Sequence, residues 1–210
     1  MNLQMSTFSQ TIALAEMAIS CGVVIIWLLQ KFSQKAFPFF VKVILLLILF
    51  NLFFWQLGFA LELPLAAYVR AVTGDLSIVA TLLLWGVLLS SNQRSPLMFK
   101  FSVGLIALGF YPFALGFSMV DPYAWGYGSS VFLVMVLIFA LICGLANWVK
   151  GVWLIGLAII AWSVQWHESA NLWDYLLDPF LAIWAIASVL GWVLHKRKQK
   201  ARSGYLFRPG

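Results

Sequence analysis

The sequence predicts an all-α polytopic membrane protein, a single bundle of about seven transmembrane helices with the N-terminus outside and the C-terminus cytoplasmic. Three observations predict it: an extreme apolar composition, seven apolar runs of near-membrane length, and a one-sided distribution of basic residues. Of the 210 residues, 63% are hydrophobic and only 10% charged. A water-soluble domain carries roughly 25% charged residues, so this chain is too apolar to cover its surface in water. Lipid removes that demand. Seven spans of about 20 residues use most of the chain and leave no room for a separate soluble domain.

The apolar runs cover residues 11–30, 37–60, 72–90, 101–119, 129–147, 151–166 and 178–195. Polar or turn residues separate them at 31–35, 62–64, 91–94, 121–122, 150–151 and 167–178. Runs such as residues 43–50 lack the polar–apolar alternation of barrel strands. The first ten residues hold no Lys or Arg, and Glu16 interrupts the apolar stretch that follows. Both features argue against a cleavable signal peptide. Cys21 and Cys143 lie inside apolar runs and read as buried small residues rather than as a disulfide or metal ligands.

Charge sets the direction. In a seven-span arrangement Lys31, Lys35, Lys42, Arg94, Lys100, Lys150 and the tail residues Lys196, Arg197, Lys198, Lys200, Arg202 and Arg208 fall on one side. Of the thirteen basic residues only Arg70 lies opposite. Cytoplasmic loops collect Lys and Arg, so that side is the cytoplasm. Glu16, Glu62, Asp75, Asp121, Glu168, Asp174 and Asp178 then reach the outer face. The domain reading is a transmembrane domain over 1–195 and a basic cytoplasmic tail over 196–210. The tail suits anionic inner-leaflet lipid, and with no folded basic domain beside it, nucleic acid is not expected as a partner.

Small residues mark helix contacts: Ala15, Ala18 and Gly22 in the first run, Ala140, Gly144 and Asn147 in the fifth. Pro112 predicts a kink near the middle of the fourth. Two polar stripes follow helical spacing: Asn51, Trp55, Gly58 and Glu62 on the second run, and Arg70, Gly74, Ser77 and Thr81 on the third, with Asp75 adjacent. Arg70 has Glu62 and Asp75 as partners for a salt bridge; alternatively its fork grips a phosphate or carboxylate at the outer surface.

The connection 165–180 is the densest in chemistry. Read as a helix, it places His167, Asn171, Asp174 and Asp178 on one face and Leu172, Trp173 and Leu176 on the other, an amphipathic helix at the outer interface. Asp178 and Pro179 read as N-cap and first residue of the last span. Asp121 and Pro122 open an outer turn with Tyr123, whose ring suits the headgroup layer. The expected catalytic residues are His167, Asp174 and Glu168, because an imidazole titrating near neutral pH beside carboxylates provides acid–base chemistry. The expected substrate-binding residues are Arg70, Glu62, Asp75, Asn51, Trp55, Trp166 and Tyr123. One histidine among carboxylates does not make a metal site, and no cofactor is expected.

Two functions compete on this reading. One is an enzyme acting at the outer face of the inner (plasma) membrane on a lipid or lipid-linked envelope substrate. The other is a non-catalytic accessory or scaffold subunit of a membrane complex, with lipid and a protein as partners. A small transporter or flippase ranks third. It draws on Asn51, Ser77 and Thr81 at mid-depth, but the chain lacks an internal repeat.

Overall fold

A computed structural model describes residues 2–58, 62–89, 95–117 and 119–206. Among these residues every regular element is helical: α1 (Asn2–Ser33), α2 (Phe39–Phe54), α3 (Leu65–Thr73), α4 (Ile78–Leu89), α5 (Leu97–Ala114), a 3₁₀ turn (Tyr123–Gly126), α6 (Ser130–Leu145), α7 (Val149–Ser163), α8 (Leu172–Leu176) and α9 (Pro179–Leu206). Among the described residues three stretches are long and apolar enough to cross a membrane: Phe8–Ser33, Leu97–Ala114 and Pro179–Lys200. Four more are apolar but shorter: Phe39–Phe54, Ile78–Leu88, Ser130–Leu145 and Val149–Ser163. Each apolar run of the sequence overlaps one of these helices. Arg94 and Arg208, counted above among the inner cations, lie outside the described residues.

The chain divides into two compact units, Met1–Gln93 with Tyr123–Asp178, and Arg94–Pro122 with Pro179–Gly210. In the first, α1 is the central helix and packs against α2, α3 and α4. Its small residues permit this. Ala18 is fully buried, and a Cβ on Gly22 would lie 2.9 Å from Leu46 Cδ1, so α1 and α2 approach at closer than side-chain distance. Met17, Ala18 and Ala66 form one core cluster with Phe50, Phe53 and Phe54, and Val23, Ile26 and Leu88 form another with Leu46, Leu49 and Trp85. Helices α6 and α7 make a hairpin, turned by Asn147 at φ 57° and sealed by Phe132, Val136, Cys143 and Ile155 under Leu172 of α8.

The second unit pairs α5 with α9. Gly104 sits 3.5 Å, by its virtual Cβ, from Ile186, and Lys100 Nζ lies 5.1 Å over the Trp184 ring. Helix α9 continues past the apolar part of the last run to Leu206.

Several expectations are corrected. Helix α2 ends at Phe54, and Trp55 turns extended at φ −94° and ψ 152°, so the stripe from Asn51 to Glu62 is not one helical face. The third run is two pieces. Short α3 ends at Thr73, Gly74 turns the chain at φ 71°, and α4 begins at Ile78, which breaks the stripe from Arg70 to Thr81. Pro112 falls in the last turn of α5 rather than at a mid-span kink, and the helix stops at Ala114 before Gly116 at φ 88°. The connection after α7 is not an amphipathic helix. Gln165 leaves α7 at φ 53°, and only Leu172–Leu176 is helical.

Candidate functional site

The polar residues of the first unit gather where α1, α3, the start of α4, the Tyr123 turn and the 165–178 connection meet. Outside α8 the connection is irregular, and side chains satisfy its backbone. The Tyr175 hydroxyl accepts the His167 N–H (3.1 Å) and lies 3.2 and 2.9 Å from the carbonyls of His167 and Ser169. Asn171 caps α8, accepting the Trp173 N–H at 2.9 Å, while its amide donates to the Tyr123 carbonyl at 2.9 Å. Asn171 is fully buried. Asn171→Ala should therefore cost about 1–3 kcal/mol, read as a lowered melting temperature of the purified protein in detergent.

His167 is 3% exposed, its ring stacked on Tyr175 with centroids 5.1 Å apart. Its Nε2 lies 2.8 Å from Glu16 Oε2, and Glu16 Oε1 accepts the Trp166 indole N–H at 2.8 Å. The pair joins α1 to a segment 151 residues away. Arg70 closes on Asp75 with both arms of its fork, Nε at 2.5 Å and Nη2 at 2.9 Å, and reaches Glu168 at 3.6 Å. The hydrogen bond to Asp75 raises the Arg70 pKa; burial opposes it, and the charges of Asp75 and Glu168 add to it. Asp174 Oδ2 accepts from Tyr123 Oη at 2.9 Å and from Ser169 Oγ. Burial, then hydrogen bonds to Tyr127 and Asp174, push the Tyr123 phenol up, so it stays protonated and donates. Burial likewise raises Tyr175.

Compared with known protein families, curated proteins and solved structures, the chain matches none. The geometry must therefore carry the reading.

The three residues expected to be catalytic point three ways: His167 to Glu16, Glu168 to Arg70, and Asp174 to Tyr123 and Ser169. Of the expected binding residues, Arg70, Asp75, Trp166 and Tyr123 join the cluster. Asn51 and Trp55 instead pair with each other at 3.2 Å on an exposed face of α2, and Glu62 is exposed apart from them. Among the described residues no group of His, Cys, Asp and Glu is arranged to hold a metal ion.

Sequence reasoning gave Glu16 no role, yet it anchors the cluster. Its signal was visible, since it is the one charged residue in the first thirty, and an acid inside an apolar helix calls for a partner. Ser77, read from the sequence only as part of a polar stripe, has a specific partner in Asp178. Asp178 Oδ2 accepts the Ser77 N–H at 2.8 Å and its hydroxyl at 2.6 Å, while Ser77 Oγ caps the Ala80 N–H. Both residues are buried. A carboxylate at the start of α4 meets the positive end of the helix dipole.

Proposed function

We propose that this chain is a multi-pass protein of the inner (plasma) membrane, and that it works as a non-catalytic accessory subunit whose outer polar cluster holds the helices in one arrangement. The carrying observation is that the ionisable groups of the cluster face one another. Arg70 meets Asp75 through the Nε–Nη2 edge of its guanidinium, which takes that edge from a phosphate, and His167 is buried against Glu16 and Tyr175. The expected partners are membrane lipid around the apolar helices and a protein on the outer face.

In favour of the alternating topology, Glu16, Arg70, Asp75 and the 167–178 connection meet at one end of the first unit. Elsewhere, Lys42 Nζ donates to the Leu88 carbonyl at 3.2 Å, at the opposite terminus of α4, as a cation near the inner rim would. The α5–α9 pair argues the other way. Lys100 and Gly104 meet Trp184 and Ile186 about equally far into both helices, whereas a fourth and a seventh alternating span would start on opposite faces. Reporter fusions at the two ends decide the matter: an external N-terminus and a cytoplasmic C-terminus are expected, and both in one compartment would end the seven-span reading.

The competing reading is an enzyme on a lipid or lipid-linked substrate. It is favoured by the Glu16–His167 pair, a carboxylate orienting an imidazole. Complementation of a strain lacking the gene separates the two. For the accessory subunit, His167→Gln, Glu168→Gln and Asp174→Asn should restore growth in the order of their melting temperatures. A variant as stable as the parent that fails to complement would overturn it and favour the enzyme.

A further inference from the structure

Between α1 and the start of α4 lies a recess of about 10 Å³, lined by Ala13, Glu16, Met17, Ser20, Asp75, Leu76 and Thr81. That is room for about one water-sized species. Its polar side-chain atoms are all oxygens: two carboxylates and two hydroxyls. Thr81 is 2% exposed, and its hydroxyl has no hydrogen-bond partner among the described residues. No side-chain oxygen sealed from the surface lacks a partner among those residues, so the Thr81 hydroxyl opens onto the recess it lines. Ser20 Oγ accepts the Trp85 indole N–H at 3.0 Å, which orients its remaining lone pair and proton.

We infer that this recess binds one monovalent cation, Na⁺, through the oxygens of Glu16, Ser20, Asp75 and Thr81. All-oxygen sites select hard cations. A divalent ion is disfavoured on two grounds. Ca²⁺ takes six to eight oxygens and Mg²⁺ keeps several waters, which a one-water recess does not accommodate. One of the two carboxylates is also partly neutralised already, Asp75 by Arg70. The charge left over suits a single positive charge. The surrounding acids Glu168, Asp174 and Asp178 outnumber the nearby bases, so the field at this end favours a cation. This site is independent of the accessory-subunit reading and survives or fails without it.

The test is thermal unfolding of the full-length protein in detergent, at fixed pH and ionic strength, with NaCl replacing choline chloride. Saturating Na⁺ should raise the melting temperature by about 5 °C. Thr81→Val, which removes the hydroxyl at nearly constant volume, should abolish most of that rise while leaving the melting temperature in choline close to the parent's. Calorimetric titration of NaCl into the unaltered protein should show about one site per chain, which keeps the test decisive if Thr81→Val fails to fold. Equal melting temperatures in the two salts, an undiminished response in Thr81→Val, or no calorimetric site would each overturn the assignment.

Discussion

Glu16→Leu is expected to destabilise the protein by about 2–4 kcal/mol, because it leaves the buried His167 Nε2 and the Trp166 indole N–H without their acceptor. His167→Leu should also destabilise it, because the Glu16 carboxylate is left with the Trp166 indole N–H alone. The double variant is the informative one. If the two side chains act on each other, Glu16→Leu/His167→Leu loses less than the sum of the single losses, since an apolar pair replaces a polar one and neither partner is stranded. Unfolding midpoints in mixed detergent measure the cycle. Additive losses would mean that the 2.8 Å contact carries no coupling, and that each residue acts through something else.

Gly126→Val is the second substitution expected to be severe, at about 2–4 kcal/mol. The cause is space, not backbone freedom. A Cβ at Gly126 would stand 1.6 Å from Asn171 Oδ1 and 2.9 Å from Trp173 Cδ1. Asn171 is the cap of α8 and has no room to swing away without abandoning both of its bonds. The expected readout is faster hydrogen exchange across 167–177 with α6 and α7 still protected. Gly128→Ala, at a position with open space but φ 84°, offers the comparison: its penalty is conformational and should stay near about 1 kcal/mol. Equal, mild effects from both would show that the turn accommodates a side chain at Gly126.

The helices were legible because long apolar runs are a strong and redundant signal; each run of the sequence overlaps one apolar helix. Their ends were not. Run 37–60 continues past Phe54 in hydrophobicity, but the chain turns at Trp55, and composition alone does not register where a backbone changes direction. Helical spacing misled at 165–178 for a related reason. The i, i+4 pattern of His167, Asn171 and Asp174 is there, but Asn and Ser side chains and the Tyr175 hydroxyl satisfy the backbone without a helix. The Arg70–Asp75 pairing was readable from closeness in sequence. The Glu16–His167 and Ser77–Asp178 pairings were not, because partners 151 and 101 residues apart announce themselves only through the solitary acid or hydroxyl that needs one.

That long separation bears on how the protein is made. At about 5–20 residues per second, translation needs roughly eight to thirty seconds to travel from Glu16 to His167. Throughout that interval the first helix carries an acid whose eventual mate has not left the ribosome. Newly made α1 must then keep that acid at a hydrated edge until the late connection emerges. Chains stalled before residue 167 should accordingly be the ones that quality-control proteases remove first.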